Sequence, residues 1–323
     1  MGSDRVRILV CEFVTGGGMA EEPFSADLFA EAEGMAAALV QDLTALDGVQ
    51  VLLCRDARLG PMAGCESLTI GAGDPVEAVW AEGARRCDAV WPIGPETGGV
   101  LERMVALFAA TGRPVLAPEP SALAVAASKW ASSERLRAAG LPAVPTVRLG
   151  EEPPPAERYV VKPDDGAGTV DTFILGSAEL AAWTPPSDGA WAVQPLVEGD
   201  AASFSMLVGA DGRARLLACN RQRIRRLADR FESDGVTVGA LAERRDAWKP
   251  LAQRVADALP GLRGYVGVDL IDGPDGPVLL EVNPRLTASY IGLSAALGEN
   301  VAGRVLADLL PDCVRMKDMS EHG

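Results

Sequence analysis

Asp269, Glu281 and Asn283 are spaced so that three oxygen donors can meet. Val266, Val268 and Leu270 alternate with Gly267, Asp269 and Ile271, and Val278, Leu280 and Val282 alternate with Leu279, Glu281 and Asn283. Such alternation marks strands with one buried face. The run Asp272-Gly-Pro-Asp-Gly276 between them is a turn signal. A turn centred near Asp275 sets Asp269 opposite Glu281, and Asn283, two residues on, points to the same side. Two carboxylates and an amide oxygen form a hard-oxygen set suited to Mg²⁺ shared with nucleotide phosphates. Arg285 follows at once. A solvated strand face explains any one of these acids; it does not explain the set.

Three further groups could serve the same phosphates. Lys162-Pro-Asp-Asp-Gly-Ala-Gly168 places a lysine at a strand end before a glycine loop. Gly166 and Gly168 allow backbone N–H groups to approach phosphate oxygens while the ammonium neutralises charge. No Gly-Lys-Ser/Thr follows, so this is not a Walker A loop. Asp164 and Asp165 oppose phosphate binding unless they face outward or toward a metal. Lys129 alone reads as an exposed helix lysine, and with Lys162 as a second phosphate ligand. The run from Gln194 to Gly199, with Leu196 and Val197, leaves a strand and can offer backbone groups to an adenine edge.

Arg221, Arg223, Arg225, Arg226 and Arg230 form a basic run. Solvated faces commonly look like this. On a strand Arg221 and Arg223 share one side, where one of them, taken here as Arg223, could bind a phosphate or substrate carboxylate in bidentate fashion.

The elements that must position these residues fall into an α/β part and an α+β part. Strands are expected at 5–11, 49–54, 89–93 and 115–117, with a Gly16–Gly18 loop and helices over 25–46, 75–86 and 97–111. Alternating β and α implies a small parallel sheet over 1–118. A helix is expected over 121–139, then strands at 146–149, 159–162, 172–175 and 192–195, and longer strands at 203–208, 215–219, 267–271 and 278–283. Helices near 238–258 and 288–309 complete the chain.

The chain has 323 residues and 48% hydrophobic content, enough for two or three packed domains. Thirty basic against 45 acidic residues give a formal charge of −15, which disfavours nucleic acid as a partner. Cys11, Cys54, Cys65, Cys87, Cys219 and Cys313 are scattered, without zinc spacing, as suits a reducing cytoplasm. The one histidine is His322, so histidine-based catalysis is not expected. No signal pattern opens the chain, and no apolar run approaches the roughly 18 residues that span a bilayer. A homodimer is the default for such a chain.

Taken in order, Lys129, Lys162 with its glycine loop, the Gln194–Gly199 linker, Asp269, Glu281, Asn283 and Arg285 resemble the ATP-grasp superfamily over about 119–310. The resemblance implies an α/β pre-ATP-grasp domain at 1–118, a lid subdomain at 119–196, a C-terminal subdomain with the metal site at 197–312, and a tail at 313–323. It implies ATP and Mg²⁺ (or Mn²⁺), with Lys129 and Lys162 on the phosphates and Gln194 to Val197 at the adenine. Many relatives carry a ribose-binding Glu where this chain has Ala201, so ribose contact falls to Asp200 or Glu198. Glu12, Glu33-Gly34, Pro95-Glu96 and Asn220-Arg-Gln222 resemble the branch that includes tyramine–glutamate ligases of methanofuran biosynthesis and the pyrrolysine-pathway ligase.

The implied reaction phosphorylates a carboxylate and lets an amine displace phosphate from the acylphosphate, with Arg285, Lys162 and Arg223 as candidate catalytic residues. The partners would be small-molecule amino-acid and amine substrates, met through the 12–18 loop and the 221–236 region. Other amino-acid or dipeptide ligases and a non-catalytic nucleotide-binding regulator are the alternatives. A redox α/β enzyme is disfavoured by the lack of a Gly-x-Gly-x-x-Gly fingerprint after the first strand.

Overall fold

Apolar runs that are buried on both faces build the first sheet. The computed structural model describes residues 5–311; the expected tail 313–323, with Cys313 and His322, lies outside them. Strands β1 (Val6–Glu12), β2 (Val49–Asp56), β3 (Glu66–Ile70) and β4 (Ala89–Ile93) form a parallel sheet in the order β3-β2-β1-β4. Helices α1 (Ala26–Thr44), α2 (Val76–Arg85) and α3 (Val100–Ala109) alternate with them. Ser25 caps α1, its Oγ accepting from Leu28 N. In β1, Leu9 and Cys11 pack with Trp80 and Phe108 on one face, whereas Ile8 and Val10 pack with Leu39 and Leu43 on the other.

Next come α4 (Pro120–Ala127), α5 (Lys129–Ala138), β5 (Val147–Arg148), β6 (Arg158–Pro163), β7 (Phe173–Gly176), α6 (Ser177–Ala182) and β8 (Trp191–Pro195). The strands make an antiparallel lid sheet, β5-β8-β6-β7. The third sheet, β11-β10-β9-β12-β13, is antiparallel. It comprises β9 (Asp200–Val208), β10 (Ala214–Arg226), β11 (Phe231–Thr237), β12 (Gly264–Gly273) and β13 (Gly276–Asn283). Helix α7 (Arg245–Ala258) covers one face of it. Beyond β13, α8 (Leu293–Leu297) and α9 (Val301–Leu309) fill the space between the third sheet and the first, where Leu293 and Val305 share a core with Val10 and Leu207.

Four expectations are corrected. The parallel sheet gains β3, while 115–117 contributes only a bridge from Val115 to Val90. The helix expected over 121–139 breaks at Ser128, whose backbone is extended (φ −99°, ψ 118°) and whose Oγ caps α5. Strand β11 is not among the expected strands, and the helix expected near 238–258 starts only at Arg245, after a turn at Ala242–Arg244. Finally, α4 and α5 bury Ala122, Ala126 and Leu136 against Phe204, Val268 and Val282 of the third sheet. The helices expected within the lid therefore sit on the C-terminal sheet, because their apolar faces match its core, and the lid sheet proper is formed by residues 147–195.

Among the described residues no helix is long and apolar enough to cross a membrane, and Cys11, Cys54, Cys65, Cys87 and Cys219 are free thiols.

Candidate functional site

The β12–β13 hairpin closes through a Gly273–Gly276 pair, and its register sets Asp269 opposite Glu281 and Gly267 opposite Asn283. A bulge follows Asp269. Asn283 Nδ2 donates to Asp269 Oδ2 at 3.0 Å, and Gln222 Nε2, from β10, donates to Asp269 Oδ1 at 2.6 Å. Both oxygens of Asp269 thus rest on neutral amides. Glu281 is placed differently: its Oε2 lies 3.2 Å from Lys129 Nζ and 3.7 Å from Lys162 Nζ.

This asymmetry separates the two acids. Burial, and then the Glu281 charge, pushes the Asp269 carboxyl up to about 7. Burial also pushes Glu281 upward, but the Lys129 and Lys162 ammoniums outweigh it and bring that carboxyl down to about 2. Burial lowers Lys162 against the pull of Glu281.

The break at Ser128 explains how Lys129 reaches the cluster. It starts α5 beside the glycine loop, its N–H donating to Asp164 O at 3.0 Å and its Nζ to Gly166 O. The two loop acids are tied to protein donors. Asp164 caps α5, accepting from Trp130 N at 2.8 Å and Ser128 Oγ at 2.5 Å. Asp165 Oδ2 accepts from Gly98 N at 2.7 Å. Gly168 turns the loop at φ 67°.

Arg285 is clamped from the first domain. Glu96 accepts from its Nε at 2.9 and 3.0 Å and from its Nη2 at 2.9 Å, with both side chains largely buried. Burial alone would lower the Arg285 pKa; the Glu96 carboxylate more than offsets this and raises it.

Not every candidate joins this cluster. Arg223 is exposed and braces its own hairpin, donating through Nε and Nη2 to Asp234 O and through Nη1 to Thr237 Oγ1. Alternation along β10 turns Gln222 toward Asp269 and sends Arg221 and Arg223 to the other side, so Gln222 takes the place expected of an arginine. Its signal was available in the Asn220-Arg-Gln222 string but is masked by the charges around it. Gln194 is buried, its Nε2 donating to Thr146 Oγ1 at 3.0 Å, while Leu196 N donates to Arg158 O at 2.9 Å and Leu196 and Val197 are half-buried. Gln194 lies at the end of β8, and Leu196 and Val197 lead from the lid toward the third sheet. Of the ribose candidates, exposed Asp200 pairs with Arg221 at 3.4 Å and exposed Glu198 with Arg226 at 2.8 Å.

At the C-terminal ends of the parallel strands, Glu12 Oε2 accepts from Thr15 N at 2.6 Å and Thr15 Oγ1 at 2.8 Å, shaping the 14–18 turn. Arg55 grips both oxygens of Glu33 at 2.5 and 2.8 Å.

Among the described residues no group of three or more His, Cys, Asp and Glu side chains gathers as a metal centre. Mg²⁺ held together with phosphates needs only one or two carboxylates. Asp269, Glu281 and the Asn283 amide fit that need, and Glu281 Oε2 is a buried oxygen with no directed hydrogen bond.

A family model described as an ATP-grasp domain matches residues 126–289, and one described as a pre ATP-grasp 3 domain matches residues 49–123. The chain is 32% identical over 139 residues to tyramine–L-glutamate ligase of Methanocaldococcus jannaschii, a stretch that is 43% of this chain and 39% of that relative. The match thus spans less than half of the relative's length. An ATP-grasp superfamily protein from Archaeoglobus fulgidus superposes with a TM-score of 0.71 at 23% identity, over 94% of this chain and 88% of that one. D-alanine–D-alanine ligase from Bacillus anthracis, in a structure with ATP, superposes with a TM-score of 0.67 at 14% identity, over 97% of this chain and 99% of that one. Identities this low speak for a shared fold alone.

Proposed function

The chain belongs to the ATP-grasp domain family, and on that premise we propose that it is an ATP-dependent ligase joining a carboxylate to an amine through an acylphosphate. The observation that carries this reading is the convergence of Lys129 and Lys162 on Glu281, directly across the hairpin from Asp269. Two cations and two acids under a glycine loop are the parts that phosphoryl transfer requires. A divalent ion held by Asp269, Glu281 and Asn283 would neutralise charge that develops on the phosphates.

The chain's own residues do the remaining work. Lys129 and Lys162 hold phosphate oxygens with ammoniums already oriented by Glu281. Arg285, fixed by Glu96, presents a guanidinium to the transferring group. The 163–170 loop covers the site and keeps water from an acylphosphate. An amine arriving neutral can attack without a histidine base.

We infer further that the acid is glutamate and the amine a tyramine-like arylalkylamine. The supporting fact is the likeness to the tyramine–L-glutamate ligase. A coupled ADP-release assay with ATP, Mg²⁺ and glutamate, varying the amine and including tyramine, tests both parts. Release stimulated by tyramine supports the specific reading. Release with other amino acids or amines alone leaves the ligase and removes tyramine; no release with any pair removes the ligase.

A further inference from the structure

One short turn touches both the arginine and the lid. Residues 95–99 leave β4 and lead into α3. From this turn Glu96, only 6% exposed, holds Arg285 through the contacts described above. Two and one residues on, Gly98 N donates to Asp165 Oδ2 at 2.7 Å, and Thr97 Oγ1 to Asp165 O at 3.1 Å. Gly98 and Gly99 are both left-handed, at φ 63° and 67°, a conformation open to glycine at little cost. The same loop that carries Asp165 carries Gly166, whose carbonyl Lys129 holds.

The arginine's donors show what Glu96 achieves. A guanidinium has five N–H groups in one plane. Glu96 engages Nε and Nη2, and Leu286 O accepts from Nη1 at 3.1 Å. Two N–H donors, one on Nη1 and one on Nη2, stay available to an anion. Glu96 therefore fixes the plane of the fork before any anion arrives, which reduces the freedom lost on binding.

We propose that Glu96 is a positioning residue for Arg285, and that the 96–99 turn couples this position to closure of the 163–170 loop through Asp165. The proposal rests on the ligase reading for Arg285's role, though not for the coupling. With the loop closed, Asp165 anchors the turn and Glu96 holds the fork in place. With the loop lifted, the turn loses that anchor, and Arg285 is held less firmly until the site is covered.

The test uses the full chain and the variants Glu96→Gln, Glu96→Asp, Asp165→Ala and the double variant Glu96→Gln/Asp165→Ala. Hydrogen–deuterium exchange, with ADP and Mg²⁺ present, follows residues 96–99 and 163–170. Coupling is reciprocal, so Asp165→Ala speeds exchange at 96–99 and Glu96→Gln speeds it at 163–170. Changes confined to each variant's own segment overturn the coupling. In turnover, Glu96→Gln lowers kcat for ADP release about 100-fold, the scale of losing one preorganised donor, with KM for ATP within about threefold. Glu96→Asp recovers part of that loss, and the double variant loses less than the product of the singles.

A kcat for Glu96→Gln equal to wild type, or no recovery by Asp, overturns the positioning role. Losses that multiply in the double variant overturn the coupling. If Glu96→Gln does not fold, Glu96→Asp and Asp165→Ala decide the exchange arm. If the wild-type chain releases no ADP, the ligase reading fails, and the exchange arm still decides the coupling.

Discussion

Asp269 and Glu281 face each other across β12 and β13, yet only Glu281 has cationic partners. Its Oε2 is flanked by two lysines, whereas Asp269 rests on the Gln222 and Asn283 amides. One acid is neutralised by lysines of the protein, whereas the other has only neutral amides as hydrogen-bond partners.

That division has a pH signature. Asp269 keeps its proton up to about 7, whereas an unfolded aspartate releases it near about 3.9. A raised carboxyl pKa stabilises the fold fully below the unfolded value, and this contribution is lost as pH rises through 7. Glu281, pushed down to about 2, does the reverse: its contribution is present above the usual glutamate range and lost as pH falls toward 2. In the ligand-free protein, the Tm of Asp269→Asn relative to wild type should therefore climb from pH 5 to pH 8. An offset equal at both pH values would mean that Asp269 is ionised throughout.

Removing Glu281 should damage stability as well as turnover. Glu281→Ala leaves the largely buried Lys129 and Lys162 ammoniums side by side without their counter-charge, a loss of about 3 kcal/mol by the measure of broken buried pairs. Adding Lys129→Met to that variant should restore part of the stability, and ADP release should be absent from both. Urea unfolding midpoints check the first claim; full stability in Glu281→Ala would show that the lysines find other partners.

Gln222 has no place in the expected metal set, yet it orients Asp269. Gln222→Leu should weaken Mn²⁺ binding in the presence of a non-hydrolysable ATP analogue by about 10- to 100-fold, the usual effect of losing a residue that orients a ligand. Its Tm should stay near that of wild type. Unchanged Mn²⁺ affinity by calorimetry would reduce Gln222 to a packing residue.

Gly199 marks where the lid linker enters the third sheet. Its φ is 151°, and a Cβ there would sit 2.6 Å from Ile271 Cγ2 and 2.8 Å from Asp272 O. Gly199→Ala should cost about 2 kcal/mol through overpacking, read from denaturant midpoints. A neutral substitution would show that the linker shifts freely.

The hairpin that carries the acids is legible in the sequence because apolar and polar residues alternate along it and its turn is dense in Gly, Pro and Asp. The bulge after Asp269 is not legible; it pairs Leu279 with Leu270 and buries Leu279 with Val282, where the alternation puts Val278 and Leu280 on the buried face. The parallel sheet is legible for the same reason, apart from β3: an edge strand of mixed burial, with Glu66 exposed, has little apolar signal. The break at Ser128 is hidden because good helix formers such as Ala and Leu continue on both sides, and only the capping by Ser128 and Asp164 reveals it. Arg223 misleads because a charge run reads as a set. The pleat separates it, and only the Asp269–Gln222 bond shows which side faces inward. The Glu96–Arg285 clamp joins residues too distant in sequence for spacing to reveal.

The most direct measurement of the central claim is calorimetric titration of a non-hydrolysable ATP analogue into the wild-type chain and Asp269→Asn, each with and without Mg²⁺. The account predicts that Mg²⁺ tightens binding to the wild-type chain by at least about tenfold, roughly 1.4 kcal/mol, and that Asp269→Asn largely abolishes this gain. Equal affinity for the wild-type chain with and without Mg²⁺, or no binding in either case, would contradict a metal–phosphate site built on Asp269 and Glu281.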